Sequence, residues 1–132
     1  MHSQPAILLV HDEPVVIDLC KRILAASGFA VLIAGDGPGG LDLYNVNREQ
    51  IALIVVDAAM PVMGGVELAR RILSVNGHAR FIIMTVLGPH HPFPDDLRKS
   101  CTFLTKPVTA RNLQNAVNAA IHSDGHTTGG AA

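Results

Sequence analysis

Four polar or charged side chains lie at, or one residue beyond, the ends of short apolar runs of the sequence. Asp12 follows the first run, Asp57 the third, Thr85 the fourth and Lys106 the fifth. Clustered carboxylates repel each other, and a divalent cation such as Mg²⁺ that is bound through oxygen relieves the repulsion. A carboxylate held on such a cation can attack phosphorus, while an ammonium group neutralises charge on the phosphoryl oxygens. The residue types therefore indicate phosphoryl chemistry, provided that the fold brings the four side chains together.

The apolar runs predict strands that are buried on both faces of a parallel sheet. They are rich in Val, Ile and Leu, and Gly, Asp, Asn or Pro lies near most of their ends. Continuous apolar runs of this length are typical of such strands. The predicted strands cover residues 6–10, 29–34, 51–56, 81–84 and 102–104.

Segments with helical spacing separate the strands. Pro14 suits a first helical turn, Gly28 suits the position after a helix, and Thr109 suits a cap. The prolines at 89, 92 and 94 predict an irregular loop, with at best a short helix near residues 95–100. The predicted longer helices cover residues 14–26, 41–46, 65–75 and 109–122.

The alternation of strands and helices predicts a doubly wound α/β sheet with right-handed crossovers. In open parallel sheets, ligands bind in the crevice beyond the carboxyl ends of the strands. Because the four chemically active side chains follow strand ends, we expect them to meet at one edge of the sheet.

Composition restricts the class of protein. The chain has 132 residues, of which 48% are hydrophobic and 16% charged, so it is expected to be globular. A net charge of -1 argues against a surface that binds nucleic acid through bulk charge. The same net charge argues against a membrane-binding surface, and no run of 18 or more apolar residues occurs, so no membrane span is expected.

The ends and the cysteines give weaker indications. We expect residues 1–122 to form the domain and residues 123–132, which lack an apolar face, to form a flexible tail or the start of a linker. Cys20 and Cys101 are far apart in sequence and fit two reduced, partly buried thiols better than a disulfide. Reduced thiols favour a cytoplasmic location.

Three segments resemble those of response-regulator receiver domains of two-component signalling, the chemotaxis-regulator-like family. They are residues 7–14 (ILLVHDEP), 53–65 (LIVVDAAMPVMGG) and 103–107 (FLTKP), and the resemblance covers about residues 6–121. It implies a single, flavodoxin-like, doubly wound five-stranded parallel sheet with strand order 2-1-3-4-5 and helices on both faces.

The resemblance implies the roles of the acidic residues. Asp57 matches the phosphoacceptor and a metal ligand. Asp12 matches the main acidic ligand of Mg²⁺, and the backbone carbonyl of Ala59 matches a further ligand. Glu13 falls at a position that usually lies outside the metal shell.

The resemblance also implies a switch and a lysine contact. Thr85 and Phe103 match a pair in which the hydroxyl moves toward phosphate and the aromatic ring turns inward. Lys106 matches the lysine that contacts the phosphoryl group. Pro107 matches the proline of that turn, whose peptide bond is often cis in the family.

The implied activity is acceptance of a phosphoryl group from a phosphohistidine on a histidine kinase or phosphotransfer protein. Slow self-catalysed hydrolysis follows, so the domain is a signalling module and not an enzyme that turns over another substrate. The implied downstream partner is an output domain or protein, with no direct contact to nucleic acid or membrane.

Some residues depart from the family pattern. His11 stands where the family usually has the first of two adjacent acids. A neutral imidazole is a poorer partner for Mg²⁺ than a carboxylate, which predicts weaker Mg²⁺ binding and greater tolerance of Mn²⁺ or softer metals. Gly64 replaces an acid before Gly65, with an expected effect on the loop or helix cap.

Two rival functions fit the same topology. A degenerate receiver would bind partners without phosphorylation, and His11 is the main reason to consider it. A flavin-binding domain would need a hydroxyl- and glycine-rich phosphate loop after the first strand. The acidic residues Asp12 and Glu13 of that loop would instead repel phosphate.

Overall fold

The computed structural model describes residues 4–86 and 94–129, with side-chain environments as far as residue 121. Strands and helices alternate through these ranges. The strands are β1 (Ala6–Val10), β2 (Ala30–Ala34), β3 (Ile51–Asp57), β4 (Phe81–Thr85) and β5 (Cys101–Thr105). The helices are α1 (Pro14–Ala26), α2 (Gly37–Asn47), α3 (Gly65–Val75), α4 (Asp95–Arg98) and α5 (Ala110–Gly129). Of the predicted loop at 89, 92 and 94, only Pro94 lies among the described residues.

The strands form one parallel sheet in the order β2-β1-β3-β4-β5, as predicted. β1 lies between β2 and β3, and its last residue, Val10, is in register with Ala34 and Val56. β4 and β5 are in register to the end of β4, where Thr85 lies beside Thr105. The carboxyl ends of the strands are therefore level, and the residues after them share one edge.

The three central strands, β1, β3 and β4, are buried on both faces because their side chains alternate between two cores. One core packs α1 and α5 against Ile7, Leu9 and Val55. The other packs α2, α3 and α4 against Leu8, Val10 and neighbouring strands. This two-sided burial explains why the strands are continuous apolar runs and do not alternate with polar residues.

Local signals fix the ends of several helices as predicted. Pro14 lies in the first turn of α1, and Gly28 after it has a φ of +93° that favours glycine. At the start of α5, the backbone N–H of Asn112 donates to Oγ1 of Thr109 at 3.0 Å. α3 also has the predicted bounds.

The start of α2 differs from the prediction, which placed it at residue 41. The helix begins at Gly37 because Asp36 caps it, accepting a hydrogen bond from the N–H of Gly39 at 2.7 Å. Glycine is required here for close packing: a Cβ at Gly40 would lie 2.8 Å from Cγ2 of Val10. The Gly-rich run that resembled a loop is thus the first turn of a closely packed helix.

The last helix continues seven residues beyond the predicted end at His122, to Gly129. The backbone at residues 123–129 is helical, and the flexible tail or linker start expected over residues 123–132 stays a prediction. Extension of an existing helix adds one hydrogen bond for each residue fixed, so it does not need an apolar face. Within the described ranges, no helix is both long and apolar enough to span a membrane.

Candidate functional site

The carboxyl edge of the sheet brings the predicted site residues together. Asp57 ends β3 and Thr85 ends β4, while Lys106 directly follows β5. Backbone hydrogen bonds join these ends, since the N–H of Lys106 donates to the carbonyl of Thr85 at 2.7 Å and that of Ala58 to Met84 at 2.8 Å. These hydrogen bonds hold together the strand ends from which the predicted site side chains extend.

Asp57 is the buried acid at the carboxyl edge of the sheet, with 2% of its surface exposed. Its Oδ2 accepts a hydrogen bond from the backbone N–H of Ala59 at 3.1 Å. Its Oδ1 forms an ion pair with Nζ of Lys106, although no donor is aligned with this oxygen for a hydrogen bond. Both oxygens are thus held in place by groups from neighbouring loops.

Lys106 reaches this buried carboxylate from the surface. Its side chain is 29% exposed, whereas that of Asp57 is 3% exposed. The peptide bond between Lys106 and Pro107 is cis, as the resemblance implied. An ammonium group that is partly in solvent and paired with a buried acid is well placed to meet an incoming anion.

Asp12 lies on the outer side of the site. Its side chain is 36% exposed, and Oδ1 lies 3.6 Å from Nδ1 of His11. Nε2 of the same imidazole lies 3.5 Å from Oδ1 of Asp57. Both predicted acidic ligands therefore lie against one buried histidine ring.

The donor set fits a hard divalent cation only if backbone and water oxygens take part. No group of three or more His, Cys, Asp or Glu side chains is arranged to hold a metal ion in the described part of the chain. Asp57 nevertheless offers a buried oxygen without an aligned donor. Mg²⁺ binds through few carboxylates and keeps several waters, so two acids and the carbonyl of Ala59 suit it.

Thr85 and Phe103 lie on the same face of neighbouring strands. Ile83 is in register with Phe103, and Thr85 with Thr105, so these side chains share one face of the sheet. Thr85 is 3% exposed, and Phe103 is half-buried against the core formed with α2, α3 and α4. The proposed switch pair is thus adjacent on the sheet, two residues apart along the strand direction.

Three features of the site were missed by reasoning from the sequence. The N–H of Ala59 holds Asp57, and the backbone N–H of Glu13, not its carboxylate, contacts His11 at 3.1 Å. Val62, in the loop before α3, has a φ of 72°, which is rare for a β-branched residue. All three depend on loop backbone geometry, for which the residue types give no signal.

Both cysteines are free and buried, as predicted. Burial raises the pKa of the Cys20 thiol. Burial, and then the nearby Asp96 carboxylate, raises the pKa of Cys101 to about 12. Neither thiol is therefore a reactive thiolate at neutral pH.

The sequence matches the profile of a known family, described as the response regulator receiver domain, over residues 7–118. Similar curated proteins include the transcriptional regulatory protein GlrR of Escherichia coli, which is 31% identical over 96% of this chain. CseB of Streptomyces avermitilis is 31% identical over 98% of the chain. The chain spans only 28% of the length of GlrR and 54% of CseB.

Solved structures show the same likeness. A response regulator receiver domain from Clostridium thermocellum is 29% identical, with a TM-score of 0.78 over 92% of this chain and 97% of its own. The complex of CheX and CheY with BeF₃ and Mg²⁺ from Borrelia burgdorferi contains a chain that is 26% identical. It has a TM-score of 0.80 over 87% of both chains.

Proposed function

Because the chain belongs to the response-regulator receiver-domain family, we propose that Asp57 accepts a phosphoryl group from a phosphohistidine on a histidine kinase or phosphotransfer protein. One observation carries the proposal: the buried carboxylate of Asp57 is paired with Lys106 at the carboxyl edge of the sheet. Thr85 ends the neighbouring strand and supplies a hydroxyl at the same edge. A carboxylate, an ammonium group and a hydroxyl at one edge of the sheet support the proposal.

The transfer exchanges one bond to phosphorus for another. A carboxylate oxygen of Asp57 attacks phosphorus, the P–N bond to the donor imidazole breaks, and the electron pair leaves with that nitrogen. Lys106 offsets negative charge on the phosphoryl oxygens, and the N–H of Ala59 fixes the carboxylate. Water later attacks the acyl phosphate, which returns the carboxylate and releases inorganic phosphate.

A divalent cation would be held by Asp12, Asp57 and the carbonyl of Ala59. When bound, Mg²⁺ supplies positive charge that stabilises the phosphoryl oxygens in the transition state. A structure with Mg²⁺ and BeF₃ is known for the similar Borrelia burgdorferi complex. The same cation is therefore the natural cofactor here, with Mn²⁺ as a second oxygen-binding candidate.

The response to phosphorylation would pass through Thr85 and Phe103. The hydroxyl of Thr85 donates to the new phosphoryl group, and Phe103, beside it on the same face, turns further into the core. Thr85→Val keeps the shape of the side chain but removes this donor. It is expected to be phosphorylated without the chemical-shift changes around Phe103 that we expect for the wild type.

The output and location of the whole protein are also proposals. The curated relatives include transcriptional regulatory proteins and a hybrid signal transduction histidine kinase. An output domain or separate partner would receive the signal, and direct contact with nucleic acid would belong to that output and not to this chain. Two thiols held reduced by burial favour the cytoplasm.

The test is phosphorylation by small donors. Intact mass should increase by one phosphoryl group with acetyl phosphate, or with phosphoramidate, whose P–N bond imitates phosphohistidine, in the presence of Mg²⁺. Asp57→Asn should abolish the increase, and Asp42→Asn, at an exposed acid of α2, should not. No mass increase in the folded wild type would overturn the proposal and leave the rival reading, a receiver that binds partners without phosphorylation.

A further inference from the structure

The residue that departs most from the family pattern, His11, is fully buried in the centre of the site. Its exposed fraction is 0%, and its backbone N–H donates to the carbonyl of Ala34 at 3.1 Å. The ring lies against two acids, with Nδ1 3.6 Å from Asp12 and Nε2 3.5 Å from Asp57. The buried imidazole therefore contacts both acids that were predicted as metal ligands.

The hydrogen bond to Nδ1 decides which ring nitrogen carries the proton. The backbone N–H of Glu13 donates to Nδ1 of His11 at 3.1 Å. A nitrogen that accepts a hydrogen bond through its lone pair carries no proton, so the neutral ring is protonated at Nε2. The close approach of Nδ1 to Asp12 is therefore a contact between two acceptors and not a hydrogen bond.

The protonated nitrogen faces an oxygen that is ion-paired with Lys106 but accepts no aligned hydrogen bond. Nε2 of His11 and Oδ1 of Asp57 are both buried, and neither has a hydrogen-bond partner among the residues that the structure describes. They lie 3.5 Å apart, a few tenths of an ångström beyond an ordinary N–H···O bond. A buried N–H without an acceptor is costly, so a small movement that brings Nε2–H of His11 into a hydrogen bond with this oxygen is favourable.

We propose that His11 is a positioning residue, which donates its Nε2–H to Oδ1 of the phosphoacceptor Asp57 and is not a metal ligand. Its part in phosphorylation rests on the proposed function of Asp57, whereas the protonation of its ring does not. Together with the N–H of Ala59 on Oδ2, this donor fixes both oxygens of the carboxylate. The ring thus orients the nucleophile in a site that has lost one acid.

A proton on Nε2 of His11 also restricts which metal ions the site can bind. A nitrogen ligand needs a free lone pair on Nε2, which would move the proton to Nδ1 and break the bond from Glu13. With Nε2 protonated, only oxygen atoms can hold a cation. The greater tolerance of softer metals that His11 predicted from the sequence would then be absent.

Nuclear magnetic resonance tests the proton position directly. Long-range ¹H–¹⁵N correlation spectra of the metal-free, unphosphorylated protein should show a proton on Nε2 of the His11 ring. The signals are assigned by their loss in His11→Gln. His78→Gln, at an exposed histidine, is the control that should remove a different set. A ring that carries its only proton at Nδ1 would overturn the proposal.

Phosphorylation by acetyl phosphate tests the role of the donor. Gln extends far enough to place an amide N–H near the Nε2 position, whereas Asn reaches only the Nδ1 position. His11→Asn should lower the rate about tenfold and His11→Gln should restore most of it, as expected for loss and return of one bond to a charged group. Equal rates in wild type and a folded His11→Asn would contradict a positioning role.

The two proposals fail in different ways. If neither the wild type nor any variant is phosphorylated, but the ring is protonated at Nε2, the proposed function is wrong and the hydrogen bond to Asp57 stands. If Asp57 is phosphorylated while Nε2 carries no proton, the function stands and the role of His11 fails. If saturating Mn²⁺ or Zn²⁺ increased the phosphorylation rate of the wild type more than that of His11→Asn, His11 would be a nitrogen ligand of the metal. That result would also contradict the inference.

Discussion

Gly64 lies so close to Ala58 that no side chain fits between them. A Cβ built on Gly64 would lie 2.5 Å from the carbonyl oxygen of Ala58, a backbone atom that cannot move aside. The N–H of Gly65 donates to the same carbonyl at 3.0 Å, which closes the loop that follows Asp57. The glycine at the position where the family usually has an acid is therefore required by this loop.

We expect Gly64→Ala to lower the free energy of unfolding by about 1–3 kcal/mol, the usual cost of inserting atoms into a closely packed place. Gly64→Asp, which restores the family's acid, should do the same and not improve the site. Urea unfolding followed by circular dichroism measures the change. Gly77→Ala is the control, since its Cβ would meet nothing within 4 Å. Equal free energies of unfolding for Gly64→Ala and Gly77→Ala would show that the loop can move to accommodate a side chain.

Val62 holds a strained backbone without compensating packing. Its φ is 72° and it is 90% exposed, and this left-handed conformation costs a β-branched residue about 1–2 kcal/mol. Val62→Asn should therefore stabilise the fold by about 1 kcal/mol, because Asn tolerates the conformation. Val46→Asn, at a valine of α2 that is 81% exposed, should change stability little. The midpoint temperatures of thermal unfolding of the two variants, each compared with the wild type, measure these changes. A lower midpoint for Val62→Asn would contradict the strain in the backbone of Val62.

His11→Asp should tighten the binding of Mg²⁺ by about tenfold, since it returns a carboxylate to the acidic edge beside Asp12. Isothermal titration calorimetry of the unphosphorylated protein measures the dissociation constant. His78→Asp adds the same charge at an exposed position and should leave the constant unchanged. If wild type and His11→Asp bind Mg²⁺ equally, the histidine does not weaken the metal site.

The lifetime of the phosphoryl group should be long, because Ala59 beside the acceptor cannot orient a water by a side-chain hydrogen bond. We expect minutes or more for the wild type and a roughly tenfold shorter lifetime for Ala59→Gln, whose amide can position water. Loss of the phosphorylated band on a phosphate-affinity gel gives the rate. Ala119→Gln, at an exposed position of α5, is the control. A half-life of seconds in the wild type would contradict the prediction.

Stability should fall at alkaline pH through the cysteine thiols. The pKa of Cys101 rises from 9.0 to about 12 on folding, so between these values the unfolded chain loses a proton that the folded chain keeps. The stabilisation is complete below pH 9 and decreases as pH rises, by on the order of 1 kcal/mol per pH unit. Cys101→Ala should reduce this slope in unfolding experiments from pH 8 to 11. An unchanged slope would show that the thiol ionises equally in both states.

The fold followed from the sequence because its signals are local or periodic. Apolar runs marked the strands, Pro14 and Gly28 marked the ends of α1, and the cap at Thr109 marked the start of α5. The start of α2 was wrong because a Gly-Pro-Gly-Gly run is typical of a loop. Only its packing against Val10 shows why glycine is needed in that helix.

The sequence by itself determined which residues meet, since side chains that follow parallel strands must share the carboxyl edge of the sheet. Asp12, Asp57, Thr85 and Lys106 were identified on that basis. Only the tertiary structure decided how they meet. The direction of the His11 ring depends on the N–H of Glu13 and on the neighbouring strand ends, and these distances and angles arise from contacts that no local pattern encodes.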